Sequence, residues 1–333
     1  MKDERSGPIL CFGEVLLRLA APPGGRLANA TQFSAHVGGA EANVAVALAQ
    51  LGHRVEMVTV VPQTGLGHLC EGELRRFGVG TSRSIRVDGR LGIYFLEPGA
   101  AGTARVTYDR AYSAFAEHAG AFDWVEFAST ANWLHLSGIN LALGEKTASA
   151  ALAAAEAMRA SGIPISFDVN HRASLWQGRS SEPLDHVRSL MGMAHLLFAS
   201  PHDISRVLQV GADDPRAAAE AAFEAFQGLQ FVASTRRSQE GDCQTLSARI
   251  DSRESWHETE AAPLRHVIDR IGSGDAFAGA VIDGLKSGVS LERCARQGLA
   301  AAVIKHSIAG DRWIGTRADL ETFDPFGPGD VLR

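Results

Sequence analysis

What the chain lacks narrows its possibilities first. Its 32 lysines and arginines are outnumbered by 38 aspartates and glutamates, for a formal net charge of −6. There is no basic excess with which to meet nucleic acid or an acidic membrane. Cysteine is scarce, and Cys11, Cys70, Cys243 and Cys294 stand far apart without a CxxC pair or a Cys/His cluster. That spacing suggests neither a zinc-ligand set nor a disulfide framework. No run of about 18 apolar residues occurs. The apolar stretch at 9–21 is interrupted by Glu14 and Arg18, and no small-residue cleavage site follows it. The expectation is a cytoplasmic protein with a small-molecule partner. The motifs GxxxxGK[ST], GxGxxG, HRD and DFG are also missing, which removes the usual P-loop, Rossmann and protein-kinase readings.

What is present is ordinary globular material: 333 residues, 45% hydrophobic and 21% charged, enough to bury a sizeable core. The apolar segment 9–12, stopped by Gly13, has the look of a buried strand. Residues 40–51 have helical spacing ended by Gly52, 55–60 are β-branched, and 67–77 form a second helical stretch stopped by Gly78. The alternation resumes with a strand at 133–137, a long Ala-rich helix through Ala160, a strand at 164–169, a helix after Pro183 and a strand at 195–199. It closes with a helix at 215–226, a strand at 230–234, and helices at 275–285 and 291–306. Such repetition with apolar strands implies a parallel sheet covered by helices on both faces, with its ligand at the carboxyl ends of the strands. Residues 14–37 and 83–110 break the pattern: both lack helical period, and segments of the second alternate apolar and polar positions, so both look like strands of a small accessory sheet.

Two stretches carry chemistry. Asp269-Arg270-Ile271-Gly272-Ser273-Gly274-Asp275 follows a strand-like His266-Val267-Ile268 and opens a helix. Glycines at such a turn let backbone N–H groups converge on an anion, and the helix N-terminus adds positive potential. Asp275 there could accept the proton of an attacking hydroxyl; on local sequence alone it reads equally as an N-cap. Near the other end, Gly38 and Gly39 precede a helix carrying Asn43, where paired glycines permit close approach to a ligand and the amide can meet sugar hydroxyls.

Together these stretches resemble the C-terminal GxGD and N-terminal signatures of ribokinase-like (PfkB) sugar kinases. The resemblance implies an α/β, doubly wound, mostly parallel sheet with a small β-sheet lid. It implies one kinase domain over 1–333, with lid segments at approximately 14–37 and 83–115. It makes Gly272, Ser273 and Gly274 the anion hole and Asp275 the catalytic base. Arg270 departs from the family's usual small residue.

All three tyrosines, Tyr94, Tyr108 and Tyr112, fall in one lid-like window with Arg105 and Arg110. This grouping suits a polar ligand of negative charge, and alternate tyrosines would equally pack a small sheet. Residues 108–114 and 167–176 resemble segments of 2-keto-3-deoxygluconate kinases. That similarity implies sugar contacts from Gly38, Gly39, Asn43, Tyr94, Tyr108, Arg110, Arg172 and Asp311. Arg172 could instead pair with Asp168. On the nucleotide side the likeness assigns Asn170, Ser200, Thr235, Arg236, Gly272, Gly274 and His306, with Ser200 and Asp203 where the family has a phosphate and magnesium motif. It implies ATP and Mg2+ as cofactors, names no metal ligand, and leaves open a neutral-sugar kinase or a non-catalytic sugar-binding regulator. Exposed lid edges suggest a homo-oligomer.

Overall fold

The computed structural model describes residues 7–99, 104–172, 175, 184–211, 214–241 and 243–327. Its strands are β1 (Ile9–Phe12), β2 (Leu16–Ala20), β3 (Ser34–Gly38), β4 (Val55–Pro62), β5 (Ser84–Val87), β6 (Ile93–Pro98) and β7 (Ala104–Asp109). They continue with β8 (Trp133–Ser137), β9 (Ile165–Asp168), β10 (Leu196–Phe198), β11 (Phe231–Glu240), β12 (Cys243–Ser252), β13 (Trp256–Glu258) and β14 (Ala262–Pro263). Ten form one sheet in the order β13-β12-β11-β10-β9-β8-β1-β4-β5, with β14 paired to β12. From β11 to β5 every neighbouring pair is parallel.

Why helices must cover both faces is visible in β1 alone. Its four residues are all buried; Leu10 and Phe12 join one core cluster while Ile9 and Cys11 join another. Side chains alternate across a strand, so a strand apolar at every position needs cover on both sides. Each such side chain contributes roughly 1.5–3 kcal/mol by leaving water. On one face the helix Glu145–Ala160 turns Ala148, Ala151, Ala154 and Ala155 inward. On the other lie Ala40–Gln50 and Ser273–Lys286, close enough that Gly279 leaves no room for a Cβ against Ala47.

The remaining strands make a separate four-stranded sheet, β3-β2-β6-β7, drawn from the two stretches that lack helical period. Three expectations are corrected. Ser84–Val87 pairs with β4 at the edge of the large sheet, not with the small one. Residues 266–268 are irregular: His266 has φ 53°, Ile268 is exposed, and the Ile268 N–H is taken by the His306 carbonyl at 2.8 Å. β11 runs on to Glu240 and returns as the antiparallel β12. The polar sequence beyond Ser234 hides this extension because an antiparallel ribbon with one wet face needs no apolar run. Ala173, Ser174, Trp176 and Pro183 lie outside the described residues. Among the described residues no helix is long and apolar enough to cross a membrane.

Candidate active site

The loop 269–275 is fixed before any ligand is considered. Asp269 accepts the Ile271 N–H on one carboxylate oxygen and the Gly310 N–H on the other, both at 3.0 Å. Gly272 caps the helix Ser273–Lys286 at φ 84°, and a Cβ there would lie 1.7 Å from the Asp311 carbonyl oxygen. Only glycine fits. Gly274 is different: a Cβ at that position meets no protein atom within 4 Å. Its bare backbone faces open cleft at a helix N-terminus, where N–H groups and the helix dipole favour an anion.

Asp275 follows directly, 9% exposed, and accepts a 2.6 Å hydrogen bond from Asn43 Nδ2. The two signatures, at opposite ends of the sequence, therefore meet side chain to side chain. Burial raises the Asp275 carboxyl from an ordinary 3.8 to about 6, opposed by the Asn43 bond and the Arg172 charge. It is mostly ionised at neutral pH and poised to take a proton. Asp168, at the end of β9, is raised to about 7 by burial, with the Asp275 charge adding to it.

These groups line a cleft of about 380 Å³ between the small sheet and the strand ends. A second hollow of about 250 Å³ adjoins it, sharing Asp168, Asn170 and Gly274. Gly39, Asn43, Tyr94, Tyr108, Arg110, Asn170, Arg172, Gly272, Ser273, Gly274, Asp275 and Asp311 all border the first space; Ser200, Asp203 and Thr235 border the second.

Several expected roles change in detail. Gly38 does not line the cleft; its missing Cβ makes room for Asp311 Oδ2, 2.3 Å from where that atom would stand. Arg110 is buried against Glu14, with Nε 2.7 Å and Nη2 2.6 Å from the same oxygen, so its charge is already matched. Asp311 accepts from Arg18 Nη1 at 2.9 Å and from the Tyr94 hydroxyl at 2.5 Å. Arg18 also lies 2.6 Å from Asp269, and burial raises the Asp311 pKa. Tyr112 is 79% exposed and Arg105 points to solvent, so neither belongs to the cleft. Arg172 donates to Asn170 Oδ1 at 2.8 Å, and no direct bond to Asp168 replaces that contact. Ser200 and Asp203 form a capping box for the helix Pro201–Leu208. Arg236 turns outward to Glu258 at 3.0 Å. His306 is buried and lines neither hollow; it is held by the Ala302 carbonyl and by Arg237.

Sequence reasoning missed Arg237 and Arg270 as cleft residues. Side chains alternate along a strand, so choosing Thr235 on β11 already implied Arg237 over Arg236. It also passed over Lys305, which is buried behind the loop with Nζ 2.8 Å from the Ile308 carbonyl and whose burial lowers its pKa.

A buried carboxylate beside an amide-lined turn, at the carboxyl ends of a parallel sheet and beneath a small second sheet, defines a phosphoryl-transfer enzyme of the ribokinase-like class. The chain belongs to the pfkB family of carbohydrate kinases, whose sequence profile matches residues 8–312. It is 31% identical to the 2-dehydro-3-deoxygalactonokinase of Haloferax volcanii, over 94% of this chain and 95% of that one. It is 30% identical to the 2-dehydro-3-deoxygluconokinase of Bacillus subtilis, over 94% of each. The crystal structure of the 2-dehydro-3-deoxygluconokinase of Thermotoga maritima superposes with a TM-score of 0.86 at 35% identity, covering 95% of this chain and 98% of that one.

Proposed function

We propose that the protein phosphorylates 2-dehydro-3-deoxygluconate, the 2-keto-3-deoxy sugar acid, on its primary hydroxyl at the expense of ATP, giving the 6-phosphate. The observation that carries the reading is the Asn43–Asp275 pair set beside the Gly272–Gly274 turn, with the Arg172 guanidinium in the same cleft. Relatives named for this acid and for its galactonate epimer support a sugar-acid substrate over a neutral ketose. A carboxylate also gives Arg172, bonded to an amide oxygen and not to an acid, a partner of opposite charge.

In the reaction the hydroxyl oxygen forms a bond to the γ-phosphorus, the bond from phosphorus to the bridging oxygen of ADP breaks, and the hydroxyl proton passes to Asp275. Asn43 holds that carboxylate toward the cleft. The Gly272–Gly274 amides stabilise charge spread over the moving group. Asp168, its pKa raised first by burial and then by the charge of Asp275, borders both hollows and would be the carboxylate to hold a phosphate-bound magnesium; that ion would neutralise phosphate charge. The four-stranded sheet serves as a lid that keeps water from the transferring group. Its edge strands β3 and β7, both with exposed residues, would pair with a second copy in a homodimer; a monomeric mass in solution rejects that assembly.

A coupled ADP-release assay across both 2-dehydro-3-deoxy acids, fructose and ribose tests the reading. Highest kcat/KM for the gluconate-derived acid supports it. Preference for a neutral sugar, or binding without turnover, defeats it.

A further inference from the structure

Of the four arginines that border this cleft, Arg110 is neutralised by Glu14 and Arg172 donates to the amide oxygen of Asn170. Behind and outside that lining, Arg18 has Asp269 and Asp311, Arg236 has Glu258, and Arg249 has Asp251. Arg237 and Arg270 also border it without a carboxylate partner among the described residues, and unlike Arg172 they stand near enough to act on each other. Arg237 Nη2 lies 2.9 Å from His306 Nε2. Because His306 Nδ1 sits 2.6 Å from the Ala302 carbonyl oxygen, which can only accept, Nδ1 carries the proton and Nε2 is a neutral acceptor. Arg270 Nη2 donates to the amide oxygen of Gln244 at 2.6 Å, and its Nε is buried with no partner. Both guanidiniums are thus oriented by uncharged groups, and no carboxylate of the described residues pairs with them. They also repel each other: burial and then the Arg270 charge lower the pKa of Arg237. Two like charges, held side by side on a cavity wall without counter-charge, cost stability unless an anion comes between them.

We propose that Arg237 and Arg270 form a clamp for the terminal phosphates of the nucleotide, a site built for polyanion charge and distinct from the groups that hold the sugar acid. Position favours phosphate over sugar carboxylate. Arg270 stands just before the Gly272–Gly274 turn, and Arg237 shares a face of β11 with Thr235, which lines the adjoining hollow. A phosphate chain passing from that hollow into the cleft runs by Gly274, which borders both. The small sheet bounds the other side through Tyr94, Tyr108 and Arg110. A polyphosphate brings enough negative charge for both guanidiniums, and arginine is the side chain that binds phosphate in two directions at once.

The inference rests on the kinase reading for its nucleotide, so its test includes a binding arm independent of turnover. Arg237→Gln and Arg270→Gln are compared with the unaltered chain by calorimetry with ATP and with inorganic tripolyphosphate, by steady-state kinetics, and by thermal unfolding without ligand. Each substitution is expected to weaken binding of both probes about tenfold or more, since charge-assisted bonds are lost. KM for ATP should rise in parallel while KM for the sugar acid stays within about twofold. Unfolding without ligand should occur at the same or a higher temperature, because a repulsion is removed. Unchanged ATP affinity overturns the clamp, as does a rise in KM for the sugar acid in place of that for ATP. A lower unfolding temperature in both variants assigns the pair to structure and also overturns it. Should no sugar or sugar acid be phosphorylated, the kinase reading falls while calorimetry still decides the clamp.

Discussion

Asp275→Asn separates the chemistry of the carboxylate from its contribution to the fold, because the two effects have opposite signs. Burial holds the folded-state pKa near 6 against an ordinary 3.8. Keeping Asp275 ionised above pH 7 therefore costs the empty protein about 3 kcal/mol, taking about 1.36 kcal/mol per pKa unit. An asparagine can still accept from Asn43 Nδ2 through its amide oxygen and carries no charge to desolvate. For a chain of this length 1 kcal/mol moves the midpoint by about 1–2 °C, so the variant should melt no lower than wild type and up to about 6 °C higher. Its kcat should fall by a factor on the order of 10²–10⁴, the usual worth of a positioned general base. The acid limb of kcat/KM near pH 6 should disappear with it. Coupled ADP release from pH 5 to 8.5 and differential scanning calorimetry at pH 7.5 supply both readouts. A variant retaining more than a tenth of wild-type kcat, or one that melts well below wild type, refutes the reasoning.

Other perturbations follow from the same geometry. Gly274→Ala should fold normally, since the added Cβ meets no protein atom within 4 Å, yet lose activity by filling the phosphate position; wild-type kinetics would place the anion elsewhere. Gly272→Ala should instead lose at least about 2 kcal/mol in urea unfolding, from positive φ and a clash with the Asp311 carbonyl. Arg172→Ala should reduce kcat/KM for the sugar acid about 10- to 100-fold, the worth of a charge-assisted bond, with an unchanged melting curve; equal kinetics make it structural. Glu41 is raised to about 7 by burial and Asp168 likewise, so the folded state holds protons that the unfolded chain has released. Stability therefore falls as pH rises through about 7, by roughly 1 kcal/mol per group between pH 6.5 and 8. Glu41→Gln should remove about half of that slope. Ser137 N, Ser137 Oγ and Asn140 Nδ2 all donate to the single oxygen Oε1, which glutamine keeps; an unaltered slope contradicts the assignment.

The architecture was legible because local patterns match the large sheet's needs: β8 and the helix Leu291–His306 occupy the residues their periodicity indicates. The Gly272–Asp275 turn and Asn43 were legible because glycine and cap chemistry are local. Which charges are free was not. Arg110 and Arg172 look alike in sequence, yet a partner 96 residues away, Glu14, satisfies the first. Arg236 and Arg237 are adjacent, and the register of β11 decides which faces the cleft. His306 turns inward because its own helix supplies the Ala302 carbonyl, a matter of rotamer that spacing does not encode. β5 was misplaced because an edge strand of four partly buried or exposed residues looks the same in either sheet.

The buried charges that join Arg18 of β2 and Tyr94 of β6 to Asp269 and Asp311 restrict how the roof of the cleft can open. Pulling one member free would strand its partners without water, at a cost of about 3–5 kcal/mol. The sheet is riveted at its base, so any opening of the roof would have to flex its outer span and would leave the 269–275 loop in its present shape.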